Sequence, residues 1–308
     1  LEQLRSLTEL LSYAKEVGPK RVSVALAEDA DVLEAVEHAR REGIADCILV
    51  GNVDKMKEIA KEIGVDLSNF QLKDVRGSEA EVALAAVEVV SSGEADILMK
   101  GMISTANFLR GVLNKEKGLR TGSLLSHVYI HEVEGVDRIL FICDPAFNIA
   151  PDLNAKVKIV ENTVELAKSF GVETPKVAVL AAVEVVNPDM PCTLEAAALV
   201  QMNRRNQIKG CIIDGPLALD NALSEEAARH KGVVSEVAGH AEVLLVPDIE
   251  AGNIFAKAIV YLTKNKTAGL VLGAKVPVVL TSRADSAETK LLSIASAVAL
   301  AAYKSVSN

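Results

Sequence analysis

Along the chain, short apolar runs alternate with longer stretches in which apolar residues recur every three or four positions. The runs lie at 21–27, 46–51, 96–101, 138–144, 176–182, 210–216, 242–248, 268–274 and 276–282. Most are rich in β-branched residues and stop at Gly, Asp, Asn or Ser, as buried strands do. Windows of helical period fill most of the gaps, at 30–42, 52–63, 77–91, 153–170, 192–206, 253–264 and 286–303. The alternation predicts an α/β fold with mainly parallel sheets and crossover helices. Ligands of such sheets sit beyond the carboxyl ends of the strands, which directs attention to the loops there. The hexapeptide AAVEVV occurs at 85–90 in a helical window and at 181–186 continuing a strand. Its flanks differ, so it reads as coincidence rather than duplication.

A chain of 308 residues can bury one large core or two ordinary ones. Half of the residues are apolar and Trp is absent, a balance suited to strands buried on both faces. The formal net charge of −9 argues against nucleic-acid or anionic-membrane partners, yet leaves room for a small anion in a local positive pocket. Cys47, Cys143, Cys192 and Cys211 show no C-x-x-C spacing. Three of them lie in or beside apolar runs, as buried thiols of a reducing cytosol would. No unbroken apolar run approaches the roughly eighteen residues of a membrane span, and the first residues have no signal-peptide core. The expectation is a soluble cytoplasmic protein.

Four strand-end loops carry most of the polar load. In 144–152 (DPAFNIAPD), Asp144 and Asn148 suit local turn bonds and Pro151 suits the opening of a helix. In 214–223, Asp214 marks a strand break and Asp220 is a candidate helix cap. In 246–257, a helix is expected to open near Gly252-Asn253, where ligand oxygens could approach unpaired N–H groups, with Lys257 one turn on. In 281–290 (TSRADSAETK), Asp285 and Glu288 fit a capping box. Arg283 does not fit it, because a helix N-terminus disfavours a cation unless an anion lies between them. Basic residues also gather in the first half. Lys100 closes a strand, and 109–127 supplies Arg110, Lys115, Lys117, Arg120 and His127, a local reversal of field in an acidic protein.

No metal or nucleophile constellation emerges. His127 and His131 share a strand face but lie about 13 Å apart, too far to ligate one ion. Cys192, near an expected helix start, is open to a lowered pKa, against the more common case of an inert thiol.

The segments DPAFNIAPD, DGPLALDNAL, AGHAEVLLVPDIEAGNIFAKAI and VPVVLTSRADSAE, in this order, resemble the phosphate acetyl/butyryltransferase family over 137–290. The third follows that family's Pro-Asp-x-x-x-Gly-Asn-x-x-x-Lys pattern almost throughout. The Met-Lys-Gly of ADILMKGMISTANFLRGVL and the Ser-His of GLRTGSLLSH resemble the butyryl branch more than the acetyl branch. The resemblance implies exchange of a butyryl or similar short acyl group between acyl-CoA and inorganic phosphate, giving acyl phosphate and CoA by direct transfer in a ternary complex. CoA is then a substrate, no cofactor is held permanently, and no metal is needed. Chains of this kind commonly form homo-oligomers, as dimers or larger.

A two-domain fold like that of the isocitrate and isopropylmalate dehydrogenases is also implied. One domain would comprise 1–140 plus 288–308, the other 141–287, with the active site in the cleft. Ser282 and Arg283 match the family's Ser-Arg pair on phosphate, where the planar guanidinium gives bidentate bonds. Lys100, Arg120, Ser126, Asp144, Asn148, Asp214, Asp220, Gly252, Asn253 and Lys257 are the expected substrate-binding residues. Acetyl-type relatives carry an aspartate six residues after the arginine, proposed as the thiol base. Here that position is Thr289, whose hydroxyl is no base at neutral pH. Either the base has moved, to Glu288 about 100° around the helix, to His127 or to another loop acid, or the thiol ionises with less help. Three other readings stand beside this one: a phosphate acetyltransferase, a metal- and NAD-dependent dehydrogenase of the same fold, and a non-catalytic CoA- or phosphate-binding protein.

Overall fold

The computed structural model describes residues 1–307. The chain forms two compact units: a flanking unit of Leu7–Ser123 with the segment from Ala268 onward, and a central unit of Leu1–Ser6 with Leu124–Thr267.

In chain order the flanking unit contributes α1 (Leu7–Val17), β1 (Lys20–Ala25), α2 (Ala30–Arg41), β2 (Ala45–Gly51) and α3 (Val53–Ile63). It continues with β3 (Gln71–Asp74), α4 (Glu79–Ser91), β4 (Ile97–Lys100) and α5 (Thr105–Val112). Asp29, Asn52, Ser78 and Ser104 accept first-turn N–H groups at the starts of α2, α3, α4 and α5, and so fix where each helix begins. The central unit follows with β5 (Ser126–Val133), β6 (Leu140–Cys143), α6 (Leu153–Ser169), β7 (Lys176–Leu180) and α7 (Pro191–Arg204). Then come β8 (Ile212–Leu217), α8 (Leu219–Leu223), α9 (Glu225–His230), β9 (Val243–Leu245) and α10 (Ile249–Leu262). Strand β10 (Asn265–Leu272) begins in the central unit and ends in the flanking one, which closes with β11 (Val278–Val279) and α11 (Ala287–Ser307).

Strand order in the flanking unit is β3-β2-β1-β4-β11-β10, parallel except for the β10–β11 pair. The chain moves from β1 outward to β2 and β3, then returns to place β4 on the other side of β1. The β1/β4 junction is therefore the topological switch point, where ligands of open sheets bind. Gly101 makes the close approach there possible, because a Cβ would lie 2.2 Å from the Leu26 carbonyl oxygen. Helix α11 packs on α1 and α2, burying Leu291, Leu292, Ala295 and Val298. Each such fully buried aliphatic side chain is worth roughly 1.5–3 kcal/mol.

Strand order in the central unit is β5-β6-β9-β7-β8, parallel except that β5 runs against β6. Its core gathers Leu140, Ile142, Leu180, Leu217, Leu244 and Ile259. Among the described residues no helix is long and apolar enough to cross a membrane.

The unit boundaries fall at 123/124 and 267/268 instead of near 140 and 287, and residues 1–6 join the central unit. Hydrogen-bond ladders explain the shift. β5 pairs with β6, so 124–140 belongs to the central sheet. β11 pairs with β4, so the Ser282–Arg283 segment belongs to the flanking unit. The N-terminal residues are tied by the Leu4 N–H bond to the Phe170 carbonyl. The second AAVEVV copy does not continue a strand, since β7 ends at Leu180.

Candidate active site

In the flanking unit, register brings two strand ends together. β11 lies parallel to β4 with Val279 opposite Met99, so Leu280 falls level with Lys100 and Ser282–Arg283 emerge just beyond. Lys100 is only 2% exposed, and its Nζ donates to the Gly101 carbonyl at 3.3 Å. Arg283 is exposed, and neither cation has an ion pair among the described residues. Lys290, in the first turns of α11 and 2% exposed, donates to the Asp285 carbonyl oxygen. Burial lowers the Lys100 amine to about 8, with repulsion from Arg283 and Lys290 adding to the effect and Asp285 and Glu79 opposing it. Three cations thus converge at the switch point, two of them buried.

Two acids organise this end without neutralising it. Asp285 Oδ2 accepts the Ser282 N–H at 2.7 Å, and the Asp285 N–H returns to the Ser282 carbonyl, closing a tight turn with Arg283 at its tip. Glu79, at the start of α4, accepts from the Ser104 N–H, the Ser104 hydroxyl and Asn107 Nδ2 at 3.1, 2.7 and 2.8 Å. Those bonds, those to the Asn107 and Ser104 side chains first, hold its carboxyl down at about 2. They also fix the β4–α5 loop that follows Lys100. Neither Glu79 nor Asn107 stood out in the sequence, because their value depends on α4 and α5 lying side by side.

The helix cap is one residue later than the sequence implied. Ser286 Oγ accepts the Thr289 N–H at 3.2 Å, so Ser286 caps α11 and Asp285 does not. Glu288 is exposed in the first turn, and the Thr289 hydroxyl accepts from Ser286 Oγ at 3.3 Å. Arg120 is exposed. Its neighbour Leu119 is bonded to Lys275 at the amino end of β11, away from Ser282 and Arg283.

In the central unit, antiparallel pairing sets the start of β5 beside the end of β6. Val128 is opposite Cys143, which places Ser126 and His127 alongside Asp144. Asp144, 2% exposed, accepts from the Ala146 and Phe147 N–H groups at 3.0 Å each and from Asn148 Nδ2 at 2.5 Å. Asn148 also donates to the Leu125 carbonyl, and the buried Ser126 hydroxyl accepts from Asn162 at 2.9 Å. His127 is 1% exposed, between Tyr129 at 4.6 Å and Phe147 at 5.8 Å, centroid to centroid.

Gly252 and Asn253 belong to this group for a reason other than the expected one. α10 opens at Ile249, capped by Asp248, so the Gly252 N–H is already bonded to the Asp248 carbonyl at 3.1 Å. Glycine is required because a Cβ would meet Val246 Cγ2 at 2.6 Å and Pro145 Cα at 3.0 Å. Asn253 donates to the Pro145 carbonyl at 3.2 Å, which fastens α10 to the 144–148 loop, while Lys257 is exposed. Asp214 accepts from the next residue's N–H at a bulge in β8, and Asp220 pairs with Lys231 at 3.2 Å instead of capping a helix. Pro151 precedes the true cap of α6, Asp152. Cys192 has its thiol pKa raised, chiefly by burial, as the more common case of an inert thiol would have it. Among the described residues no group of three or more His, Cys, Asp or Glu is placed to hold a metal ion.

Comparison with known proteins bears on what this arrangement serves. The model of the family described as phosphate acetyl/butaryl transferase matches residues 6–84 and 80–298. The chain belongs to this family. It is 53% identical to a phosphate butyryltransferase of Clostridium acetobutylicum over 98% of this chain and 100% of that one. It is 50% identical to a phosphate acetyltransferase of Thermotoga maritima, over 94% and 97%. Among solved structures, a branched-chain phosphotransacylase from Enterococcus faecalis superposes with a TM-score of 0.81 at 34% identity, covering 92% of this chain and 99% of that one. A 4-hydroxythreonine-4-phosphate dehydrogenase from Klebsiella pneumoniae shares the fold alone, with a TM-score of 0.56 at 11% identity over 92% and 100%. As a phosphate acyltransferase-family member, the chain presents cations at β4 and β11 suited to a phosphoryl group. Within the central unit, the loop after β6 is tied together by Asp144 and Asn148 and fastened to α10 by Asn253.

Proposed function

We propose that this enzyme exchanges a short acyl group, butyryl or close to it, between CoA and inorganic phosphate. The observation that carries the reading is the convergence of Lys100, Arg283 and Lys290 at the switch point, two of them buried. A phosphate or acyl phosphate bound there would meet preorganised positive charge in a weakly solvated site, where it stabilises most. Arg283 and the Ser282 hydroxyl would hold phosphoryl oxygens. Asp144, Asn148 and Asn253 would keep the central unit's loops in a fixed shape. Transfer is direct, with both substrates bound together, so proximity contributes a large part of the rate. CoA acts as a substrate, the four free thiols suit a reducing cytoplasm, and the working form is a homo-oligomer.

Identities of 53% to a butyryltransferase and 50% to an acetyltransferase leave acyl length to measurement. One methylene is worth only about 1–3 kcal/mol in a pocket. The test is thiol release from acetyl-, propionyl-, butyryl- and isobutyryl-CoA in the presence of phosphate. The four-carbon substrates are expected to show the highest kcat/KM. Absence of phosphate-dependent turnover with all four would overturn the reading.

A further inference from the structure

A thiol must lose its proton before it attacks an acyl phosphate, and this chain has few groups able to take it where the cations converge. Thr289 offers a hydroxyl already bonded to Ser286. Glu288 points to solvent from the first turn of α11. Asp285 is committed to the Ser282 N–H, and Glu79 accepts three hydrogen bonds that make it a very weak base. Lys100 differs from all of them. Its amine is buried at the end of β4, donates to the Gly101 carbonyl and, among the described residues, has no carboxylate partner.

We propose that Lys100 is the proton acceptor for the CoA thiol. The proposal rests on the acyl-exchange reading and adds a catalytic role to a residue otherwise expected only to bind. In the direction that consumes CoA, the neutral Nζ takes the thiol proton. The thiolate then attacks the acyl carbon, the C–S bond forms, and the C–O bond to phosphate breaks with its electron pair leaving on phosphate. The ammonium that remains offsets charge on the departing phosphate. In reverse, a phosphate oxygen attacks the thioester carbon, the C–S bond breaks, and the ammonium returns its proton to the leaving thiolate. No oxidant, metal or second base is needed for the balance.

The surroundings suit an amine that cycles between both forms. The charged groups acting on it are Arg283 and Asp285 in the β11–α11 loop, Lys290 on α11 and Glu79 on α4. Two cations and low solvation make the ammonium costly, and the two acids keep it from being lost altogether. An amine titrating at about 8 is roughly one-tenth neutral at pH 7, and still acidic enough to protonate a leaving thiolate. Lysines made basic catalysts by burial beside another cation follow the same physics.

The experiment compares wild type, Lys100→Met and Lys100→Arg with butyryl phosphate and CoA from pH 6.5 to 9.5. In the wild type, kcat/KM for butyryl phosphate is expected to rise through about pH 8 and level off. Lys100→Met should lose roughly 10²–10⁴-fold in kcat and the pH limb with it, and small primary amines should restore rate in step with their basicity. Lys100→Arg keeps the charge but cannot give up its proton, so it should bind inorganic phosphate within a few-fold of wild type and still be as slow as Lys100→Met. Near-normal turnover by Lys100→Arg would sink the proposal, as would a Lys100→Met protein of native circular dichroism that no amine rescues. If neither variant folds, the wild-type profile decides: a flat kcat/KM for butyryl phosphate across that range overturns the assignment. A wild type inactive with every acyl phosphate removes the acyl-exchange reading itself, which is visible before any variant is made.

Discussion

The strand ends of the two units solve opposite electrostatic problems. In the central unit both carboxylate oxygens of Asp144 are engaged by groups a few residues away, while Asn148 and Asn253 donate to the Leu125 and Pro145 carbonyls. In the flanking unit Lys100 and Arg283 have no carboxylate partner among the described residues, and Asp285 and Glu79 accept hydrogen bonds that shape loops. One region is self-satisfied and gains stability from its polar groups. The other carries unbalanced charge, which costs stability and is useful only to an anion. Buried charge retained at such a cost is a marker of function.

The sharpest way to break this contrast is to remove charge from one side and hydrogen bonds from the other. Arg283→Ala is expected to lower kcat by about 10²–10³-fold, the range for deleting one charge-stabilising donor, while thermal unfolding stays within a degree or two. Arg283→Lys should recover part of the loss, because a point charge cannot reproduce bidentate bonding. Initial rates with butyryl-CoA and phosphate, measured beside a melting curve, check both halves. Unfolding at a lower temperature in proportion to lost activity would mean that the arginine is structural.

Asp144→Ala should behave the other way round. It strips acceptors from two backbone N–H groups and from Asn148, all in a loop that is largely buried, at a cost of about 2–4 kcal/mol. Urea denaturation reads this directly. Asp144→Asn keeps an acceptor for the turn and should cost about half as much. If Asp144→Ala were as stable as wild type but inactive, Asp144 would touch substrate and the contrast between the units would fail.

The units also differ in how much the sequence reveals. Strand and helix alternation, Ser282–Arg283 and the local bonds of Asp144 and Asn148 are all legible, since each is decided by neighbours within a few residues. The role of Gly252 is not, because its missing Cβ makes room for Pro145, more than a hundred positions away in the chain. Nor is the position of the α11 cap, where Ser286 and Asp285 are both competent and the Ser282 turn takes the aspartate. Lys100 is legible as a strand-end lysine but not as a buried one, since its surroundings are assembled from α4, the β11–α11 loop and α11. The unit boundaries depend on ladder pairing of β5 and β11, which no linear composition marks.

Each unit holds a buried titratable nitrogen shifted far from its usual range, and the second sharpens the comparison with the smallest effect. His131 in β5 is fully buried, and its Nδ1 lies 2.9 Å from Thr267 Oγ1. The Thr267 hydroxyl donates to Asn265 Oδ1, so it accepts from His131, which fixes the proton on Nδ1. Nε2 is then a buried acceptor with no partner, and protonating it would create an unpaired interior cation. Burial, with a contribution from His127, pushes this imidazole down to about 4 from 6.5. Between those values the unfolded chain binds the extra proton and the native one does not, so stability rises with pH across that window and falls as pH drops through it. The expected loss is about 1 kcal/mol per pH unit, approaching ~3 kcal/mol near pH 4. His131→Gln can keep a donor to Thr267 while removing the titration, so its stability should depend less on pH over 4–6.5 than that of wild type. Parallel slopes for the two proteins in urea titrations would show that His131 is already protonated or solvated. Unlike Lys100, His131 is sealed inside its sheet, and its shift should appear in stability and leave the pH dependence of turnover unchanged.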